Sequence, residues 1–148
     1  MIGIAGLGKS GISAATLLLK KNEAVILFDS NKGLNKEEVL AKFDKRYHEK
    51  IRIILGELNK SDLQDMSYCV ISPGIDLETD FVRVLKANNI PIWSEIELGY
   101  KYSKGSLIAI TGTNGKTTTT SLVGEIMSDF VKKSFTVGNI GIPYTDIA

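Results

Sequence analysis

The sequence predicts an α/β protein built on a parallel sheet. Two observations carry that prediction: short Ile- and Val-rich runs alternate with segments of helical period, and two glycine-rich turns each follow such a run and open a helix. At 148 residues the chain has the common size of one domain, but two strand–loop–helix units of phosphate-loop character point to one complete domain and part of another.

Taken in order, residues 2–5 read as a first strand, followed by Gly6-Leu7-Gly8-Lys9-Ser10-Gly11 and a helix over 10–21. Strands at 24–29, 51–55, 68–72 and 90–93 follow, with helices at 35–46 and 77–88 between them and at 94–102 after them. Glu97 stands three residues beyond Ser94, the spacing of a capping box. A further strand over 107–111 leads into a second glycine loop and a helix over 116–132, and residues 135–137 read as a last strand. Leu122, Val123, Ile126, Met127, Phe130 and Val131 share one face of that helix, as expected of a helix packed on a sheet. A boundary near Trp93 divides the chain into residues 1–93 and 94–148. The residues after Pro143 should begin another helix.

With 43% hydrophobic and 24% charged residues, the composition is that of an ordinary globular protein with apolar material for a core. Lys and Arg number 18 against 17 Asp and Glu, so no global field attracts nucleic acid or an anionic membrane surface. The basic residues 42–50 are interleaved with Asp44 and Glu49, a solvated helix face. Cys69 is the single cysteine, in an apolar strand, which makes an internal disulfide impossible and a core role the better reading. The apolar start lacks a basic leader and Lys9, Lys20 and Lys21 interrupt it, so a cytoplasmic protein is expected.

In the first glycine loop Gly6 permits the tight turn, Gly8 lets backbone approach a pyrophosphate, and Gly11 lets the helix pack on its strand. The helix N-terminus supplies N–H groups and partial positive charge for the anion. Asp29 ends the second strand about 20 residues on, where a carboxylate meets a ribose or base in this arrangement. Alone, this Rossmann-like half reads as an NAD-binding oxidoreductase domain. In the second loop, Thr111-Gly112-Thr113-Asn114-Gly115-Lys116-Thr117-Thr118-Thr119, backbone amides can surround β and γ phosphates. Lys116 adds a positive charge there and the Thr117 hydroxyl is the expected magnesium ligand. The spacing departs from G-x-x-x-x-G-K-[ST]: Ile110 stands where its first glycine belongs.

That shortened loop resembles the ATP loop of the Mur ligase and folylpolyglutamate synthase superfamily. Gly6 to Gly11, Ser72-Pro73-Gly74-Ile75, the Gly112 loop and Gly138-Asn139-Ile140-Gly141-Ile142-Pro143 occur in the order of its D-glutamate-adding branch, over nearly the whole chain. The resemblance implies a UDP-binding Rossmann-like domain at 1–93 and the beginning of a P-loop Mur ligase central domain at 94–148. It turns Gly8, Lys9, Ser10, Asp29, Ser30 and Gly74 into UDP contacts in place of NAD contacts. Gly112, Thr113, Asn114, Gly115, Lys116, Thr117 and Thr118 become the ATP site, with Lys116 and Thr117 acting in catalysis. Asn139 would touch the muramoyl part of the substrate.

The implied reaction uses ATP and Mg2+ to activate the carboxylate of UDP-N-acetylmuramoyl-L-alanine as an acyl phosphate, which the amine of D-glutamate attacks in peptidoglycan synthesis. Because the family's further ligands and its third domain lie beyond Ala148, a fragment without turnover of its own is expected. ATP- and D-glutamate-dependent phosphate release would contradict that. Self-association through apolar faces near residues 107–110 and 135–137 is expected as well. A sibling ligase adding another amino acid or a folate glutamate, an NAD oxidoreductase and a non-catalytic nucleotide-binding module are the alternatives. His48 reads as a surface residue and Trp93 as junction packing; no Cys/His cluster has zinc spacing.

Overall fold

The computed structural model describes residues 1–138 and 142–148. Five strands form one sheet: β1 (Ile2–Ala5), β2 (Val25–Asp29), β3 (Ile51–Leu55), β4 (Tyr68–Ile71) and β5 (Ile92–Ser94), in the order β3-β2-β1-β4-β5. Every pairing is parallel. Ile4 sits opposite Leu27 on one side and Val70 on the other. The last strand starts two residues later than its apolar run because Pro91 has no N–H for the ladder. Its carbonyl still accepts from the Cys69 N–H at 2.9 Å.

Parallel neighbours require crossovers. These are α1 (Lys9–Lys20), α2 (Lys36–Leu40), α3 (Lys60–Leu63) and α4 (Asp80–Ala87). The helix expected at 35–46 stops early. Asn35 caps α2 by accepting from the Glu37 and Glu38 N–H groups, and Asp44 then accepts from the Arg46 N–H and starts a separate 3-10 turn, Lys45–Lys50. The four-residue α3 was not anticipated at all; its capping box, Asn59 with Asp62, is local and carries little hydrophobic period.

Alternation along the strands separates the two faces. Ile2, Ile4, Val25, Leu27 and Val70 join α1 residues Ala14, Leu17 and Leu18 on one side. Ala5, Ile26, Phe28, Cys69 and Ile71 join Leu63, Met66 and Leu85 on the other. Between β1 and β4 the strand order reverses, since β2 and β3 extend to one side and β4 returns beside β1. That switch point opens a crevice at the carboxyl ends of the strands, where α/β sheets place ligands.

After β5, helix α5 (Glu95–Tyr102) begins with the expected capping box: Ser94 Oγ accepts from the Glu97 N–H at 3.1 Å and Glu97 Oε2 from the Ser94 N–H at 2.6 Å. Its Leu98 is fully buried against the α1 face. Helix α6 (Lys116–Phe130) follows the second glycine loop. Three expectations fail around it. Residues 107–111 form no strand, and Leu107 and Ile108 are exposed. Residues 135–137 contribute only an isolated bridge, Val137 to Ile142. The α6 face of Leu122, Ile126 and Phe130 points to solvent, Phe130 at 80% exposure. The cause is common to all three: neither run meets a partner edge among the described residues, so no sheet forms beneath α6 for its apolar face to cover. In place of a final helix, a 3-10 turn, Tyr144–Asp146, folds onto α1 and α5.

Candidate functional site

The first loop leaves β1 with Gly6 at φ +85°, a conformation that favours glycine, while its N–H donates to the Phe28 carbonyl at 2.8 Å. Gly11 stands where a Cβ would come within 1.8 Å of the Gly6 carbonyl oxygen, so the helix approaches its strand only without a side chain. Asp29 brackets two loops: one carboxylate oxygen accepts from the Leu7 N–H and the other from the Asn31 N–H, each at 3.0 Å. Ser72 closes the third side, its hydroxyl donating to the Gly6 carbonyl at 3.1 Å. Gly8 begins α1 with no side-chain cap and no acidic residue in the first turn, and a Cβ there would meet nothing within 4 Å. An anion approaching that helix start meets N–H dipoles and no steric barrier.

Beside it lies a cavity of about 630 Å³, lined among others by Gly6, Asp29, Ser30, Gly74, Ile75 and Phe81. This volume suits a small organic ligand. Its apolar wall includes Phe28 and Phe81, whose rings are 5.0 Å apart. The anion-accepting α1 start lies at Gly8, and the cavity, whose lining also includes Glu57, Asp76 and Asp80, adds polar groups at the β2 end and an aromatic wall.

The second loop is more open. Gly115 caps α6 from the left-handed region at φ +74°, and nothing would lie within 4 Å of a Cβ there. The Lys116 ammonium folds back on its own loop, donating to the carbonyls of Gly112 and Thr113. The first turn of α6 has no acidic residue, and Thr117 and Thr118 are exposed at the helix start. A triphosphate fits this arrangement: free space above glycine, a cation within the loop and hydroxyls beside it. Among the described residues no group of three His, Cys, Asp or Glu could hold a metal. The exposed Thr117 hydroxyl and phosphate oxygens are ligands of the kind a magnesium ion accepts.

Residues 1–94 match the Mur ligase MurD-like N-terminal domain, and residues 110–146 match the Mur ligase middle domain. The chain belongs to the MurD-like Mur ligases. It is similar to a UDP-N-acetylmuramoylalanine–D-glutamate ligase of Lachnoclostridium phytofermentans, 49% identical over 144 residues, which is 97% of this chain and 31% of that protein. A ligase of the same description from Lachnospira eligens is 46% identical over 142 residues, 96% of this chain and 31% of the relative. Among solved structures, a pseudomurein peptide ligase type C from Methanothermus fervidus superposes with a TM-score of 0.53 at 25% identity, covering 87% of this chain and 26% of that one. The chain spans about a third of the length of the curated relatives it matches.

Within this Mur ligase chain Gly6, Asp29, Ser30 and Gly74 line one cavity. Gly8, Lys9 and Ser10 stand at the α1 start next to it, and Gly112 to Thr118 gather at the second loop. Asn139 lies outside the described residues. Sequence reasoning missed the apolar lining, Phe28, Ile75, Phe81 and Val84. The amphipathic period of α4 was the available signal, but it reads Phe81 and Val84 as packing, and both do pack, half-buried, against the core. Trp93 stacks on Tyr68 at 4.7 Å between ring centroids, with the Lys101 ammonium 4.8 Å from its ring, and packs against the α1-side core. His48 is half-buried and its Nε2 pairs with the Phe43 carbonyl at 3.1 Å. Burial pushes the Cys69 thiol up to about 12, which rules it out as a nucleophile near neutral pH.

Proposed function

We propose that this chain supplies the UDP-binding domain (1–93) and the start of the ATP-binding domain (94–148) of an ATP-dependent amide ligase that adds D-glutamate to UDP-N-acetylmuramoyl-L-alanine. The observation that carries the proposal is the pairing of an open, uncapped α1 start beside a nucleotide-sized cavity with a second glycine loop built around Lys116. In this reading Gly8, Lys9 and Ser10 hold the pyrophosphate of UDP, and Asp29, Ser30 and Gly74 border its ribose and base. The backbone of Gly112 to Gly115 cradles the ATP phosphates, with Thr118 as a further hydroxyl donor. Lys116 exchanges its loop carbonyls for phosphate oxygens, and Thr117 holds the magnesium ion. ATP with magnesium supplies the phosphoryl group that turns the alanine carboxylate into an acyl phosphate for the amine of D-glutamate. The chain's own contribution is orientation and neutralisation of charge as that group moves. Asn139 is proposed to touch the muramoyl part of the substrate. The reaction belongs to cytoplasmic peptidoglycan precursor synthesis.

An NAD site is the rival use of the first loop. That reading leaves the second loop, built around Lys116 at the start of α6, without a role. Calorimetric titration of the chain with UDP, NAD and Mg-ATP separates the readings. Binding of UDP and Mg-ATP is expected; binding of NAD without UDP would discard the proposal.

A further inference from the structure

The 3-10 turn Tyr144–Asp146 lies far along the chain from α1, yet Tyr144 and Thr145 are buried against α1 and α5. Thr145 is the centre of the contact. Its N–H and its hydroxyl both donate to Glu95 Oε1, each at 2.7 Å. Its Oγ1 stands 2.6 Å from Ser13 Oγ, across 132 positions of sequence, and Ser13 also donates to Asp146. Tyr144 packs over Gly99, where a Cβ would come within 2.7 Å of its ring, and its hydroxyl donates to Ser103 at 2.8 Å.

Glu95 is only 2% exposed, so it cannot reach a substrate. A carboxylate buried this deeply is costly unless donors satisfy it, and here Thr145 provides two. It also occupies the first turn of α5, where the helix dipole favours negative charge. The segment it grips leads back to the second loop. Ile142 bridges to Val137, and its carbonyl accepts from the Gly138 N–H at 3.0 Å. Thr136 in turn presses on Gly124 of α6, where a Cβ would come within 2.4 Å of its hydroxyl. At the other end, Ser13 lies on α1 one turn beyond Ser10.

We infer that Glu95 is a positioning residue whose buried carboxylate, acting through Thr145, fixes the segment carrying the second phosphate loop against the helix that begins the first. Its meaning for ligands rests on the proposed UDP and triphosphate sites. The geometry itself can be tested without either.

Nitroxide labels at Lys20→Cys on α1 and Ser128→Cys on α6, both exposed, report the separation of the two units by pulsed electron resonance, while Cys69 is buried and stays unlabelled. The unsubstituted clasp and Glu95→Gln, whose amide oxygen still accepts from Thr145, are expected to give narrow distance distributions. Glu95→Ala should broaden the distribution at least roughly twofold, as loss of a local tie frees a segment without global unfolding. Thr145→Val, placed outside the sheet domain and retaining one of the two bonds, should broaden it less. UDP affinity should stay within about twofold of the parent in all three, since the clasp does not line the cavity. Unchanged widths in Glu95→Ala and Thr145→Val would overturn the inference, as would UDP affinity lost in step with the broadening, the mark of a merely structural role. Should the parent fail to bind UDP while the widths behave as stated, the ligand reading falls and the clasp stands.

Discussion

Asp29 shows how a residue chosen from sequence for one contact can carry others as well. The distance from Gly6 to Asp29 suggested a ribose contact; the structure engages both carboxylate oxygens with the Leu7 and Asn31 N–H groups and so shapes the rim of the cavity. Asp29→Ala should lower stability by about 1–3 kcal/mol, the cost of stranding such groups, and weaken UDP binding with it. Lys116 gives the opposite pattern. It is exposed and, among the described residues, bonded to its own loop, so Lys116→Ala should leave melting temperature and UDP affinity unchanged while reducing Mg-ATP affinity at least roughly tenfold in calorimetry. Cys69 carries a pH signature. Burial raises its thiol from 9.0 to about 12, so between those values the folded chain binds more protons than the unfolded one. Its contribution to stability is full below pH 9 and is lost as pH rises toward 12. Tyr68, raised from 10.0 to about 12 by burial first and by Tyr102 and Glu23 next, adds to the same decline. Urea midpoints should fall across that range, and less steeply in Cys69→Ala.

Helices and strands were legible where short-range pattern and tertiary contact agree. All five sheet strands coincide with Ile- and Val-rich runs, and the Ser94–Glu97 capping box was readable from spacing alone because both of its bonds are local. The same reasoning failed at residues 107–111 and 135–137, since β propensity records fitness for a sheet and cannot supply the neighbouring strand. It also failed at the turn of Tyr144–Asp146, whose place depends on Glu95 and Ser13, residues remote in sequence. Two substitutions probe the elements themselves. Gly11→Ala must push α1 away from the Gly6 carbonyl and should abolish UDP binding while the other helices persist in circular dichroism. Leu98→Ala removes a fully buried side chain that joins α5 to the α1 face and should cost about 2–5 kcal/mol in denaturant unfolding.

At the scale of the whole molecule, a fully formed five-stranded sheet stands beside a segment whose helix α6 has no buried residue. Leu122, Ile126, Phe130 and Phe135 remain exposed, and an apolar surface of this kind favours association. Light scattering should show mass rising with concentration, and Phe130→Glu should reduce the rise. The two cradles differ in the same way. The first is braced by strand ends, Asp29 and Ser72, whereas the second is held by Lys116 and its own carbonyls. Motif spacing revealed both loops because backbone geometry demands glycine there; the aromatic wall of the first cavity stayed hidden because Phe28 and Phe81 also serve the core. We propose that the crevice beside Gly6 and Gly74 takes UDP. Titration of the isotopically labelled chain with UDP, followed amide by amide in nuclear magnetic resonance spectra, tests it most directly. Saturable shifts at Leu7 to Gly11, Ser30, Gly74 and Ile75, with Gly112 to Thr118 unmoved, are the predicted result; shifts confined to the second loop, or none that saturate, would contradict it.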